Sequence, residues 1–101
     1  VPTGIATELP NDKVGLVYAR SGLATKRHLA PANKVGVIDS DYRGEIKMLL
    51  HNYGNVDRVI HSGDRIAQII ITKAEQFNFI VSEELSETER GQKGFGSTGK
   101  I

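Results

Sequence analysis

Short runs of apolar residues, separated by turn residues, make up most of this chain. Apolar and polar positions often alternate along them, as where Ile46 and Met48 flank Lys47, and this period of two is typical of half-buried strands. Clusters of Pro, Asn, Asp and Gly, such as residues 10–12, mark the turns between them. The pattern predicts strands over residues 1–9, 14–19, 35–39, 45–51, 65–72 and 77–81, with the Ile-rich strand 65–72 buried.

One segment departs from the strand pattern and predicts a short helix. Ser21 offers a hydroxyl that can cap a helix N-terminus, and the segment continues through Leu23 and Arg27 to end near Pro31. Many short strands with a single helix predict an all-β, antiparallel sandwich or barrel-like fold. Such a fold exposes strand edges, so we expect this short chain to pair with copies of itself.

Composition narrows the possible functions. The chain has 101 residues, the length of one domain, and its 13 Lys and Arg against 12 Asp and Glu leave a net charge of +1. That balance argues against non-specific nucleic-acid binding, which needs an excess of cations. The chain has no Cys, which excludes disulfides and thiol catalysis, and its apolar runs are too short to span a bilayer. The three His lack metal-ligand spacing and are predicted to lie at the surface.

Glycine dominates the last dozen positions, and residues 90–101 are predicted to form a mobile tail. The string GFGSTGK matches phosphate loops in its letters, but Ile101 stands where a Walker loop needs Ser or Thr, and such loops lie between a strand and a helix. Glycines still let backbone N–H groups approach an anion, and Phe95 between two of them can stack on a flat ligand. A tail without a role is the alternative.

Three other polar segments are candidates for ligand contacts, and each also has a plain structural explanation. Residues 20–22 combine a guanidinium with a hydroxyl at a helix start, which suits an anion, although Ser21 can simply cap the helix. Residues 39–44 place an acid and Tyr42 after a strand, where a general base can act, although Asp, Ser and Gly also favour a turn. Gln68 interrupts an apolar strand, so its amide must pair with backbone or with a ligand.

Together these segments resemble the conserved motifs of homotrimeric dUTPases. They are ARSGLA at 19–24, GVIDSDYRG at 36–44, GDRIAQ at 63–68 and RGQKGFGSTG at 90–99, in the family's order and spacing. The resemblance implies an all-β, dUTPase-like β-clip fold, a distorted jelly-roll barrel with one short helix and strand exchange in a trimer. Ala19 replaces the family's usual Pro, and the family's first motif is absent. We therefore expect a barrel body over residues 1–89 that lacks its N-terminal strand, followed by a mobile lid over residues 90–101.

The resemblance also implies roles for individual residues. It implies that Asp39 activates the water that attacks the α-phosphorus of dUTP, that Tyr42 packs under the deoxyribose and excludes a 2′-hydroxyl, and that Asn33 binds uracil. The turn at 39–44 would join strands 35–39 and 45–51 into a hairpin, whose backbone groups at Gly36, Ile38 and Met48 would imitate a base-pairing partner for uracil. Phosphate binding is implied for Arg20, Ser21, Gly22 and Gln68. In the lid, the implied roles are γ-phosphate binding by Arg90, stacking on uracil by Phe95, and closure over the triphosphate by Gly96, Ser97 and Thr98.

The function that this resemblance implies is hydrolysis of dUTP to dUMP and pyrophosphate, which clears dUTP from the DNA precursor pool and supplies dUMP for thymidylate synthesis. Mg²⁺ is expected to be held by substrate phosphates and water, with no protein ligand assigned. The expected partners are dUTP and two further copies that share active sites, without nucleic acid or membrane, in the cytoplasm or, depending on the source, the nucleus or a virus. Two alternatives stay open: a dCTP deaminase-like enzyme, which would need a Glu near the hairpin and has Glu45 there, and a catalytically weak nucleotide-binding or regulatory relative.

Overall fold

The computed structural model describes residues 1–96, and they form a mostly β structure with one short helix, as the sequence predicts. No membrane-crossing helix occurs in this part of the chain, because its single helix has only seven residues. In chain order the elements are β1 (Lys13–Tyr18), α1 (Ser21–Arg27), β2 (Leu29–Pro31), β3 (Gly36–Ile38), β4 (Leu50–Asn52) and β5 (Gln68–Lys73).

Two open antiparallel sheets contain these strands. The first has the order β3-β1-β5, and the second pairs β2 with β4. Gly15 lies at the centre of the first sheet, opposite Ile38 on one side and Ile71 on the other. A Cβ at this position would stand 2.9 Å from Cδ1 of Ile69 and 3.3 Å from Cβ of Ile38, so the missing side chain lets the neighbouring Ile residues close over the strand.

The predicted helix is confirmed, but both of its ends differ from the prediction. Ser21 is the first helical residue and caps nothing; Arg20 occupies the N-cap position without a side-chain hydrogen bond. The helix ends at Arg27, because His28 adopts a left-handed conformation with φ of 56° and its N–H donates to the carbonyl of Ala24. The segment therefore turns into β2 before it reaches Pro31.

Three of the predicted strands are wrong in whole or in part. The predicted strand over 45–51 is regular only at its end, in β4. Residues 1–9 form no regular strand, although residues 1–5 make backbone hydrogen bonds with Ile46 and Met48. Residues 77–81 are not a strand either, and their alternating side chains have no cover: Phe79 is 93% exposed. The alternation is real in sequence, but period two predicts a strand only where another strand edge is available to pair with.

The described body is open, and its core is small. Four large apolar side chains are buried: Val17, Leu29, Ile46 and Met48. β5, predicted to be buried, is exposed along its whole length. The radius of gyration of 19.1 Å exceeds the value of about 13 Å that a compact domain of this length would have. The Ile side chains of β5 are thus apolar surface that no element of the described chain covers.

Candidate active site

A gap between β3 and residues 45–49 forms the first half of the candidate site. The sequence predicts these segments as the paired arms of a hairpin, and that pairing is wrong. β3 pairs with β1, while Ile46 and Met48 make their backbone hydrogen bonds with residues 1–5. Within residues 1–96, no backbone hydrogen bond joins β3 to residues 45–49, so the two arms stay apart.

The gap encloses a cavity of about 380 Å³. Buried Val17 and Met48 give it an apolar lining, which suits a flat ring. It brings together six residues that the sequence analysis assigned to one site: Asn33, Gly36, Ile38, Asp39, Tyr42 and Met48.

Lys47 lines the same cavity and was missed in the sequence. Successive strand residues direct their N–H and C=O groups to opposite edges. Since Ile46 and Met48 direct theirs toward residues 1–5, the backbone groups of Lys47 face β3 across the gap. Strand alternation is the signal that could have found Lys47, but it applies only once the pairing partner of this segment is known.

Tyr42 is held over the turn that follows β3. Its hydroxyl donates to the carbonyl of Glu45 at 2.9 Å, and its ring lies against Gly44, where a Cβ would stand only 2.6 Å from the phenolic oxygen and 2.7 Å from Cζ. Tyr42 as a whole is 44% exposed, so part of its surface is free to contact a ligand. Gly44 is required here for close packing rather than for an unusual backbone angle.

Asp39 ends β3 and lines the cavity with an exposed side chain. Its backbone carbonyl accepts from the N–H of Tyr42 at 3.2 Å, which forms the turn. The nearest basic residue in sequence, Arg43, is directed elsewhere: it donates to the carbonyl of Ser40 at 2.6 Å and lies 3.5 Å from Glu8. Across the described range 1–96 the Asp39 carboxylate has no hydrogen-bond or ion-pair partner, so it is available to accept a proton.

A second cavity, of about 490 Å³, has a different character. Four basic side chains line it without any acid: Arg20, Lys26, Arg27 and Arg65. Ser21, Gly22, Leu23 and Gln68 complete the lining. The structure thus brings the four predicted phosphate-binding residues together. A concave site with this charge favours a polyanion such as a phosphate chain.

The sequence requires the Gln68 amide to pair either with backbone or with a ligand, and the structure is compatible with both. Its Nε2 donates to the carbonyl of Ala19 at 2.8 Å, so the amide does pair with nearby backbone. The same side chain lines the cationic cavity, where its oxygen and second N–H group remain for a ligand. Because Ala19 lies two residues before α1 begins, this hydrogen bond also connects β5 to the start of the helix.

The two cavities share no lining residue, and residues 90–96 line neither of them. Arg90 donates to the carbonyl of Lys93 at 2.7 Å, and Phe95 is fully exposed with φ of 53° beside Gly96, whose φ is 86°. Ser97 and Thr98 lie outside the described residues. A further cavity, of about 750 Å³, borders both of them: it shares Met48 with the first, and Arg20 and Gln68 with the second.

Acidic and imidazole groups do not cluster in the part of the chain that the structure describes. Residues 1–96 contain no group of three His, Asp or Glu side chains placed to hold a metal ion. His28, His51 and His61 are exposed, which confirms the prediction that they lie at the surface.

Comparison with known proteins gives a consistent result. Residues 1–99 match the dUTPase family. The chain is 52% identical, over 99% of its length, to the deoxyuridine 5′-triphosphate nucleotidohydrolase of Cytophaga hutchinsonii, and 54% identical, over 98%, to that of Desulfitobacterium hafniense. It spans 65% and 66% of the length of these two relatives. Among solved structures it resembles a variant dUTPase of Staphylococcus bacteriophage 80alpha with dUpNHpp, with a TM-score of 0.82 and 29% identity over 94% of this chain and 72% of that one.

Proposed function

This chain belongs to the dUTPase family, and from that premise we propose that it hydrolyses dUTP to dUMP and pyrophosphate. The observation that carries the proposal is the unpaired gap between β3 and residues 45–49, which holds Asp39 and Tyr42 in one cavity. The names of the relatives and the dUTP analogue in the phage structure support the same substrate.

Base selection follows from the open edges of the gap. β3 pairs with β1 along one of its edges. The backbone of Lys47 faces the other edge of β3, and within the described chain no backbone hydrogen bond joins the two. Backbone donors and acceptors that stay unpaired need a partner, and a pyrimidine edge offers complementary groups. Asn33 adds a side-chain amide to the same cavity. A gap of fixed width would favour uracil over a base with a 5-methyl group.

Sugar selection is assigned to Tyr42. A ring fixed by Glu45 and Gly44 forms a wall that does not move aside. Deoxyribose packs against such a face, whereas a 2′-hydroxyl would have to lose its hydration without gaining a partner.

Replacing Gly44 by Ala is expected to raise KM for dUTP by about tenfold. The added methyl group would overlap the Tyr42 ring and push it out of place. Steady-state pyrophosphate release measures the effect. In a Tyr42→Ala background the ring is gone, so Gly44→Ala should add little; an equal penalty in both backgrounds would show that Gly44 acts independently of Tyr42.

The proposed chemistry is one in-line displacement. Asp39 accepts a proton from a water molecule, whose oxygen bonds to the α-phosphorus as the bond to the bridging oxygen breaks. Pyrophosphate leaves with the electron pair of that bond. Arg20, Ser21, Gly22 and Gln68 bind the phosphates and offset the charge that develops on them.

A complete site is proposed to need more than one subunit of a homotrimer. The cavity beside β3 (the nucleoside cavity) and the cationic cavity have no lining residue in common, and residues 90–96 line neither. Uncovered apolar surface on β5 and residues 77–81 supports assembly with further copies. In this proposal residues 1–89 form the body and residues 90–101 the lid, with Arg90, Phe95, Gly96, Ser97 and Thr98 closing over a neighbour's nucleotide.

Magnesium is proposed to arrive with the nucleotide, held by its phosphates and by water. Residues 1–96 bring no three acidic or imidazole side chains together at one point. When bound, Mg²⁺ would screen the negative charge of the phosphate chain. A role in the deoxynucleotide pool places the protein, in this proposal, in the cytoplasm or wherever its source makes DNA.

A substrate panel tests the proposal directly. Pyrophosphate release is measured with dUTP, dTTP, dCTP and UTP at equal concentrations in the presence of Mg²⁺, with ammonia release from dCTP in parallel. We expect turnover of dUTP to exceed that of the other three by about a hundredfold or more. Equal rates on all four would overturn the assignment, ammonia from dCTP would favour a deaminase, and calorimetric dUTP binding without turnover would favour a regulatory relative.

A further inference from the structure

The cationic cavity is built from two parts of the chain that are distant in sequence. Arg20 and α1 form one wall, and Arg65 and Gln68 form the other. The β1–β5 ladder, which pairs Tyr18 with Gln68, joins the two walls on one side. Something else must fix the turn that precedes Arg65, because residues 53–67 contain no regular strand or helix.

Arg27, at the last turn of α1, makes that connection. Its Nη2 donates to the carbonyl of Val59 at 2.9 Å, and its Nη1 lies 4.0 Å from Oδ2 of Asp64. Both charged side chains are about one-third exposed. One guanidinium thus contacts both ends of the segment 59–64 from the helix.

Asp64 makes this segment a defined unit. Its Oδ2 accepts from the N–H of His61 at 2.8 Å, and its own N–H donates to the carbonyl of His61 at 3.1 Å. Gly63, with φ of 88°, allows the turn between them. The residue after this closed turn is Arg65, which lines the cavity. Holding the turn therefore sets where the second wall begins.

We propose that Arg27 is a positioning residue for phosphate binding: its guanidinium holds the turn of residues 59–64 against α1 and thereby sets the spacing of the two cavity walls. The proposal rests on the proposed function in that the polyanion is taken to be the phosphate chain of a nucleotide. This role differs from simple attraction of the phosphates by positive charge, which Arg27 would share with the other basic residues of the cavity.

The conservative replacement Arg27→Lys separates positioning from charge. Lysine keeps the positive charge but lacks the planar fork that reaches two acceptors together. Positioning predicts that Arg27→Lys raises KM for dUTP about fivefold, close to the effect of Arg27→Gln, with kcat changed by less than about twofold. A charge role predicts that the Lys variant keeps the wild-type KM, and that result would overturn the proposal. Arg58→Lys, the same exchange in a residue that lines neither cavity, is the matched control.

Asp64→Ala provides a second test, in which a charge role and a positioning role predict opposite changes in polyanion affinity. Removing an acid beside a cationic cavity should tighten polyanion binding if charge alone matters. Releasing the turn should weaken binding if Arg27 and Asp64 position the wall. We expect weaker binding, by about threefold or more in calorimetry with inorganic tripolyphosphate; tighter or unchanged binding would contradict the proposal.

Amide hydrogen exchange keeps this test independent of dUTP hydrolysis. Arg27→Lys should speed exchange in residues 59–64 of the whole protein without changing exchange in β1. If the wild-type protein binds tripolyphosphate but does not hydrolyse dUTP, the proposed function fails while both the exchange and the calorimetry still decide the role of Arg27. Unchanged exchange in the turn would overturn that role even in an active dUTPase.

Discussion

Asp39→Asn is expected to lower kcat for dUTP hydrolysis by about a thousandfold while leaving nucleotide binding in place. The amide has nearly the same shape as the carboxylate and should keep the turn in which the carbonyl of residue 39 accepts from Tyr42. It cannot take a proton from water, so the attacking oxygen would remain a weak nucleophile. Steady-state pyrophosphate release gives kcat, and calorimetry with dUTP gives the dissociation constant of the variant.

Asp41→Asn is the matched control for this experiment. Asp41 is an exposed acid two positions away that does not line the nucleoside cavity. It should keep kcat within about twofold of wild type. Full activity in Asp39→Asn would remove this residue from the chemistry, and an equal loss in Asp41→Asn would point to a general effect of turn charge rather than to a base at one position.

Mixing two inactive chains is expected to restore activity. One chain carries Asp39→Asn with an intact C-terminus, and the other keeps Asp39 but lacks residues 90–101. If Asp39 and the lid of each site come from different subunits, random mixing at equal amounts gives about one quarter of the sites both groups. The mixture, unfolded and refolded together, should therefore show about a quarter of wild-type dUTP turnover.

A second mixture provides the control. A chain with both changes is mixed with wild-type chain at equal amounts. Sites contained within one chain would retain about half of the wild-type turnover, whereas sites shared between subunits would retain about a quarter. No recovery in the first mixture together with half activity in the second would show self-contained sites.

The grouping of residues in the candidate site could be predicted in large part, because the proposed chemistry resides in residue types at short spacings. Asp39 and Tyr42 lie three positions apart in a turn, and the structure brings them into one cavity with Asn33. The helix of residues 21–27 was likewise predictable, because its signals are local. Its cap was not, since Ser21 is one position too far along the chain to act as one.

Pairing between distant segments could not be predicted in the same way. Alternation identified Ile46 and Met48 as one buried face, and both are buried, but the same pattern would arise whichever strand edge they meet. A hairpin with β3 was the pairing expected from local sequence. Residues 1–5 pair with this segment instead, through backbone hydrogen bonds that span more than 40 positions. Lys47 and the contact of Arg27 with residues 59–64 follow from such pairings and have no local signal.

Local spacing was thus enough to identify the groups that are proposed to act on a nucleotide, because side-chain chemistry and turn geometry are properties of a few neighbouring residues. Where the gap opens, which backbone edges remain unpaired in it, and how the cationic walls are spaced depended on the folded arrangement. Those features arise when segments far apart in the chain compete for the same hydrogen-bonding edges, and the pairing with the most favourable sum of contacts forms.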